Sequence, residues 1–204
     1  MEHTFFCPTQ TKTHYTNKSG GITDLKHFAA TQNKKLISMQ QVHGNMFSYC
    51  TSEMPLQNVV LGVDGILTNR TDLVLSVKTA DCLPILLHHP SGIIGAVHAG
   101  RKSTQLHLLE KTLLFLRDKK GIVSDISLWF GPAICVSCYQ VDEKTDTHYD
   151  LLEENKQQAY TVFSPSNIAI TFDRRCTKCL SESFHSYRVE GAGVSMNLAA
   201  ITLR

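Results

Sequence analysis

The sequence predicts a mixed α/β domain with central β-sheets covered by helices, and three observations carry that reading. Runs rich in Val, Ile and Leu recur between residues 63 and 97, separated by Asp, Pro and Gly, as successive buried strands of a sheet do. Leu106, Leu109, Leu113 and Leu116 repeat at three- and four-residue spacing, which lines them along one face of a helix. A chain of 204 residues, 42% hydrophobic and 19% charged, can bury one good core but would be cramped with two, so residues 1–204 read as one domain.

The elements follow in order. Residues 5–30 give a strand, a loop through Gly20-Gly21 and a short helix from Asp24 to Ala30. Residues 36–39 and 46–49 are short strands flanking Gln41-Val42-His43-Gly44-Asn45, where Gly and Asn supply a turn and place His43 at a strand end. Residues 63–67, 72–77, 84–88 and 93–97 form the central sheet. A helix spans Ser103 to Asp118, with Ser103 or Thr104 as N-cap and Gly121 as terminator. Residues 126–130 are a strand running into Gly131-Pro132, residues 149–163 a second long helix, and residues 168–172 a strand before Cys176.

Composition excludes several classes of function. The net charge of +2 balances 20 Lys and Arg against 18 Asp and Glu, and the densest basic cluster is Lys119-Lys120, so no nucleic-acid partner is expected. No run approaches the roughly 18 apolar residues that span a bilayer. Met1-Glu2-His3-Thr4 lacks the basic-then-apolar pattern of a secretory signal, so the expectation is a cytoplasmic protein without a membrane partner. Seven cysteines, an odd number, point in a reducing compartment to metal binding, catalysis or burial rather than to a disulfide framework.

The informative triplet is His43 in Gln-Val-His-Gly, Cys82 in Ala-Asp-Cys-Leu-Pro and His98 in Val-His-Ala-Gly, each at a junction of predicted strand and turn. Two imidazoles and a thiolate suit Zn²⁺, and three protein ligands leave a fourth position for water or substrate. Such a cation acidifies water, a chemistry that fits hydrolytic deamination. Two plainer readings use the same residues: simple packing, because free Cys and lone His are often core residues, and a metal-free cysteine hydrolase in which His98 activates Cys82.

Five ordered motifs add a resemblance. They are Gln41-Val42-His43-Gly44; Thr79-Ala80-Asp81-Cys82-Leu83-Pro84; Val97-His98-Ala99-Gly100; Gly131-Pro132-Ala133-Ile134 with Cys138-Tyr139-Gln140-Val141; and Cys176-Thr177-Lys178-Cys179 with Phe184-His185-Ser186-Tyr187-Arg188. In this order they resemble the YfiH-type laccase-domain family, once called multicopper polyphenol oxidases and later described as purine nucleoside phosphorylases, over nearly the whole chain from about Thr13. The resemblance implies a fold of central sheets covered by helices. It also implies zinc, with copper as the alternative, on His43, Cys82 and His98, and purine nucleosides and phosphate as small-molecule partners.

The implied activities are phosphorolysis of adenosine, inosine, guanosine and methylthioadenosine, and deamination of adenosine. Cys82 and His98 are then catalytic candidates. So is Asp81 beside the thiolate, as a proton-handling group, a support to the ligand or a structural anchor of the turn. Arg188 and Arg101 are candidates for phosphate, although the plainer reading of Arg101 is a surface arginine.

The chain also departs from the family pattern. Arg101-Lys102-Ser103 stands where the family commonly has Trp-Arg-Gly, which removes an aromatic side chain from the pocket, and the stretches before Gln41 and between Val141 and Tyr149 are short. Cys135, where the family usually has Gly, makes a Cys-x-x-Cys pair with Cys138, and Cys176 makes another with Cys179. The gap between the pairs exceeds the ~15–20 residues of a zinc ribbon, and local packing is the favoured reading. Two further functions stay open. A multicopper phenol oxidase needs many histidines, but ten His with no His-x-His motif fit it poorly; the other is a catalytically quiet scaffold.

Overall fold

Alternation of side chains across each strand sorts this chain into four layers. The computed structural model describes residues 10–51 and 57–204, so residues 5–9 and the opening tetrapeptide lie outside the described residues. In its first half come β1 (Thr11–Thr16), α1 (Ile22–Thr31), β2 (Lys35–Met39), β3 (Phe47–Cys50), β4 (Val59–Val60), β5 (Gly65–Thr68), β6 (Leu73–Thr79), β7 (Leu83–His89) and β8 (Ile93–Ala99). Then follow α2 (Arg101–Gln105), α3 (Leu108–Lys120), β9 (Ile126–Phe130), β10 (Gln140–Asp142), β11 (Thr147–His148), α4 (Leu151–Val162), β12 (Ile168–Phe172), α5 (Tyr187–Glu190) and β13 (Asn197–Leu203).

One sheet has the order β1-β13-β6-β2-β4 and the other β12-β9-β7-β8-β5-β3. In β6, Leu73, Leu75 and Val77 point toward the second sheet and pack with Ile66, Leu86, Ile94 and Trp129. The intervening Val74 points the other way, onto Leu25, Phe28 and Ala29 of α1. On its far side the second sheet buries Ile85, Val97, Leu128 and Phe130 against Leu109, Leu113 and Leu116 of α3 and Ala159 and Val162 of α4. Each such Val, Leu, Ile or Phe side chain contributes roughly 1.5–3 kcal/mol on burial. The order of layers is therefore α1, sheet, sheet, α3 with α4, which agrees with the expected sheets covered by helices.

Two expectations need correction. The apolar runs of residues 63–97 do not share one sheet, because β6 joins β2 and β13 while β5, β7 and β8 lie in the other. Periodicity reports which face a side chain takes, and it is silent on which layer a strand joins. The long helix is also interrupted, since His107 adopts φ 60 and divides α2 from α3. Gly100, not Ser103 or Thr104, precedes the first turn, and both hydroxyl residues are buried within α2. Leu106 faces outward at 48% exposure. Tertiary bonds hold the break: Asn45 Nδ2 donates to Leu106 O at 3.0 Å and Gln158 Nε2 to Thr104 O at 2.7 Å. Gly121, at φ 68, ends α3 as expected.

The topology places a site at one end of the two central layers. β2, β4 and β6 run parallel. The chain leaves the C-terminal end of each and enters β3, β5 and β7 of the other sheet. β8 runs back antiparallel to β5 and β7, so its last residues return to this seam, with Ala99 opposite Leu83. Carboxyl ends of parallel strands are favoured positions for ligands in α/β folds.

Candidate metal centre

Three crossings and one returning strand deliver the site. His43 lies in the β2–β3 crossing, Asp64 in the β4–β5 crossing, Cys82 in the β6–β7 crossing, and His98 near the end of β8. The first loop is fixed at both edges. Gln41 exchanges two hydrogen bonds with the backbone of Lys78 in β6, at 2.8 and 3.0 Å. The N–H groups of Val42, His43 and Gly44 donate to the Asp64 carboxylate at 3.2, 3.0 and 2.7 Å. That carboxylate offsets the cost of holding His43 at φ 58, a left-handed conformation unusual for a non-glycine residue.

The donor atoms of His43, Cys82 and His98 all lie within 4.8 Å of one another. Cys82 Sγ is 4.0 Å from His43 Nε2, and the two imidazole rings meet edge to face with centroids 4.7 Å apart. Zn–N bonds of about 2.0–2.1 Å and Zn–S bonds of about 2.3 Å need donors only slightly closer than this. The set therefore fits a single tetrahedral cation with one open position. Asp64, fully buried, binds His98 Nδ1 at 2.8 Å and leaves Nε2 of that ring for the cation. Asp64 is the residue that sequence reasoning missed. Its signal was a carboxylate set in the apolar run Val63–Leu67, where a buried charge requires partners.

Gly100 closes the other side. A Cβ built there would meet Cys82 Sγ at 2.9 Å, His43 Cδ2 at 3.2 Å and His98 Cε1 at 3.5 Å. Its φ of −80 is open to any residue, so the constraint is space and not backbone conformation. Gly100→Ala should fold normally yet weaken zinc binding by about tenfold, a loss of about 1.4 kcal/mol. A chelator-competition titration checks this, and unchanged affinity would show that the ligands do not need the space.

The electrostatics favour a thiolate. Burial pushes the Cys82 thiol up, but hydrogen bonds and charge from His43 and His98 outweigh it and bring the pKa down to about 7. For His98, burial alone would lower the pKa, while Asp64 and Cys82 raise it to about 9. Asp64 itself is held below the usual carboxylate range, since His98 and the loop N–H groups overcome its burial. The signs oppose each other in metal-free protein. The Cys82 contribution to stability is present above the ordinary thiol range and lost as pH falls through about 7; that of His98 is present below the ordinary imidazole range and lost as pH rises through about 9. Alkylation of Cys82, followed by peptide mapping of metal-free protein, should rise with a midpoint near pH 7. A midpoint near the free-thiol value of about 8.5 would mean that the imidazoles do not act on the sulfur.

Asp81 is placed as an anchor. It sits at φ 81, its Oδ1 accepts from Thr177 Oγ1 at 2.6 Å, and its Oδ2 accepts from Arg188 N at 2.7 Å. The Arg188 guanidinium donates to Gln140 O at 2.9 Å and lies over the Tyr139 ring, 5.6 Å from its centroid. Arg101 opens α2, directly after Gly100. Tyr139, part of the fourth motif but given no role there, joins these groups. Burial raises its phenol pKa, the Cys82 charge adds to the rise, and Arg101 and Arg188 oppose it. Its ring meets that of Tyr149 edge to face at 6.3 Å.

Elsewhere, sequence spacing favours local packing for the two Cys-x-x-Cys pairs, whereas the structure brings both pairs together, with all four sulfurs within 4.8 Å of one another. A cleft lined in part by Ala133, Cys135, Phe172 and Arg174 opens beside those cysteines rather than over His43. No helix among the described residues is long and apolar enough to cross a membrane.

Comparison with known proteins places these features in context. Residues 21–171 match the family described as multi-copper polyphenol oxidoreductase laccase. A purine nucleoside phosphorylase of Campylobacter jejuni is 28% identical over 173 residues, covering 79% of this chain and 75% of its own. The purine nucleoside phosphorylase YlmD of Geobacillus stearothermophilus is 28% identical over 201 residues, covering 84% and 73%. The crystal structure of YlmD superposes with a TM-score of 0.83 at 25% identity, over 96% of this chain and 93% of that one. A Bacillus licheniformis protein, YfiH, shares the fold with a TM-score of 0.82 at 21% identity, over 95% and 93%.

Proposed function

Since this chain belongs to the multi-copper polyphenol oxidoreductase laccase family and is similar to proteins named purine nucleoside phosphorylase, we propose that it is itself a cytoplasmic purine nucleoside phosphorylase. Its substrates on this reading are adenosine, inosine, guanosine and methylthioadenosine, with a second activity as an adenosine deaminase. The observation that carries the reading is the convergence of His43, Cys82 and His98 at the seam, beside Tyr139, Arg101 and Arg188.

Phosphorolysis brings an anionic nucleophile to a ribose carbon that develops positive charge while the base departs with the bonding electrons. Arg188, its guanidinium steadied by Gln140 and Tyr139, holds phosphate, and Arg101 adds a second positive charge. Tyr139 offers an aromatic surface to the purine, a role open to it because Arg101 stands where the family's tryptophan is missing. His43, Cys82 and His98 would hold a zinc ion, with copper as the alternative, and the Asp64 contact at Nδ1 leaves Nε2 of His98 free to serve as a ligand. When bound, that cation supplies positive charge and Lewis acidity toward the purine. Asp81 positions the Cys82 turn against Thr177 and Arg188 and makes no step of its own.

Phenol oxidation by several coppers has less support. Among the described residues two side-chain groups are close enough to share a metal, and only one of them contains histidine.

The test is an assay of zinc-replete protein with inosine and adenosine, with and without inorganic phosphate. Free base and ribose 1-phosphate should form only with phosphate, and ammonia should leave adenosine without it. Absence of turnover with every nucleoside would favour the quiet scaffold. Hydrolysis by metal-free protein that alkylation of Cys82 abolishes would favour the cysteine hydrolase.

A further inference from the structure

We propose that Cys135, Cys138, Cys176 and Cys179 form a second, structural zinc site, a closed tetrathiolate distinct from the His43, Cys82 and His98 centre. Cys135 precedes and Cys138 ends a single 3-10 turn, Val136–Cys138, beyond β9. Cys176 and Cys179 belong to the turn that follows β12. β9 and β12 are parallel neighbours in register, so the segments leaving them start side by side. An isolated bridge between Ala133 and Cys176 then ties the two turns together, with Thr177 N donating to Ala133 O at 3.2 Å.

The sulfur geometry is that of a loosely closed metal site. All four Sγ atoms lie within 4.8 Å of one another, and the Cys138–Cys179 pair is 3.5 Å apart. A tetrahedral ZnS₄ centre with Zn–S bonds of about 2.3 Å separates its sulfurs by about 3.8 Å, inside that range. Two backbone N–H groups already point at one sulfur: Cys135 N and Cys179 N donate to Cys176 Sγ at 3.3 and 3.4 Å. Such bonds stabilise thiolate charge, and the exposed Arg174 and Lys178 carry positive charge beside it. All four cysteines are free thiols.

Four soft donors in compact array select zinc, and a fully occupied tetrahedron leaves no position for substrate, so the site is structural. Binding releases the thiol protons to solvent and changes no oxidation state. Its purpose follows from Thr177, next to Cys176, whose hydroxyl donates to Asp81. The second zinc fixes the wall against which the Cys82 turn is anchored.

The experiment counts metal in the full chain, purified under reducing conditions from zinc-supplemented cells. About two zinc ions per chain are expected for wild type and about one for Cys82→Ala, which leaves the tetrathiolate untouched. Cobalt-substituted Cys82→Ala should show intense thiolate-to-cobalt charge transfer with the visible bands of a tetrahedral site, and the added substitutions Cys135→Ser and Cys179→Ser should remove them. Stripping zinc from Cys82→Ala should also lower its melting temperature. The proposal is overturned if Cys82→Ala binds no zinc and no cobalt in fully reduced form, or if mass analysis finds Cys138 and Cys179 joined as a disulfide in protein purified without alkylation. None of these readouts depends on nucleoside turnover, so failure here leaves the phosphorylase reading standing, and the reverse also holds.

Discussion

Cys82→Ala is expected to release the cation from the seam and to cut phosphorolysis by about 1000-fold or more, equivalent to about 4 kcal/mol of transition-state stabilisation. The sulfur is the only soft donor in its set, and the two imidazoles left behind cannot close a tetrahedral site with comparable affinity. The fold should tolerate the change. Cys82 is partly exposed at the end of the turn between β6 and β7, and removing one sulfur opens little space there. Stability of the metal-free forms should differ by about 1 kcal/mol or less. Elemental analysis beside chromatography of the released base checks both halves. Full turnover by a variant without zinc at this centre would remove the metal from the proposed chemistry.

Asp64→Asn should be nearly as damaging, by a different route. The carboxylate accepts from three consecutive backbone N–H groups and from His98, and it is completely buried. Asparagine keeps one acceptor oxygen and turns an NH₂ donor toward groups that are themselves donors. The β2–β3 loop loses part of its anchorage, and His98 loses the charge that orients it. Zinc affinity should fall by about 10–100-fold. Stability should fall by about 3–5 kcal/mol, the scale of a broken buried charge pair. Because the folded-state pKa of Asp64 is lowered, its stabilising effect is present above the usual carboxylate range and is lost as pH falls from there through the lowered folded value. Wild type and variant should therefore converge in stability in acid. Urea denaturation at neutral and acidic pH measures this, and a gap that persists in acid would show that shape and not charge carries the effect.

Much of this architecture was legible in the residues. The alternation of Leu73, Leu75 and Val77 with Val74 marks a strand buried on both faces, and the strand is there. Gly121 marks the end of α3 because only a residue at ease with positive φ continues the chain there. Other features were not legible. β13 is a plain apolar run that went unassigned, yet it lies between β1 and β6. The break at His107 depends on distant partners, Asn45 among them, that no local pattern announces. For the site, the triplet was readable as chemistry, but its meeting point follows from parallel β2, β4 and β6 all leaving their sheet at one end. The same limit hid the meeting of the two cysteine pairs, since the register of β9 with β12, and not spacing along the chain, brings them together.

At the site end the chain crosses three times from the first sheet to the second, and a cation held there by His43, Cys82 and His98 would act as a rivet through both. Cys82 and His98 stay with the β7–β8 pair of one sheet, whereas His43 is held by the crossing from β2 and by Gln41 on β6, so parting the layers takes one ligand from the other two. Added zinc should then delay melting of the whole double layer in one cooperative step, by an amount that grows with the logarithm of free metal.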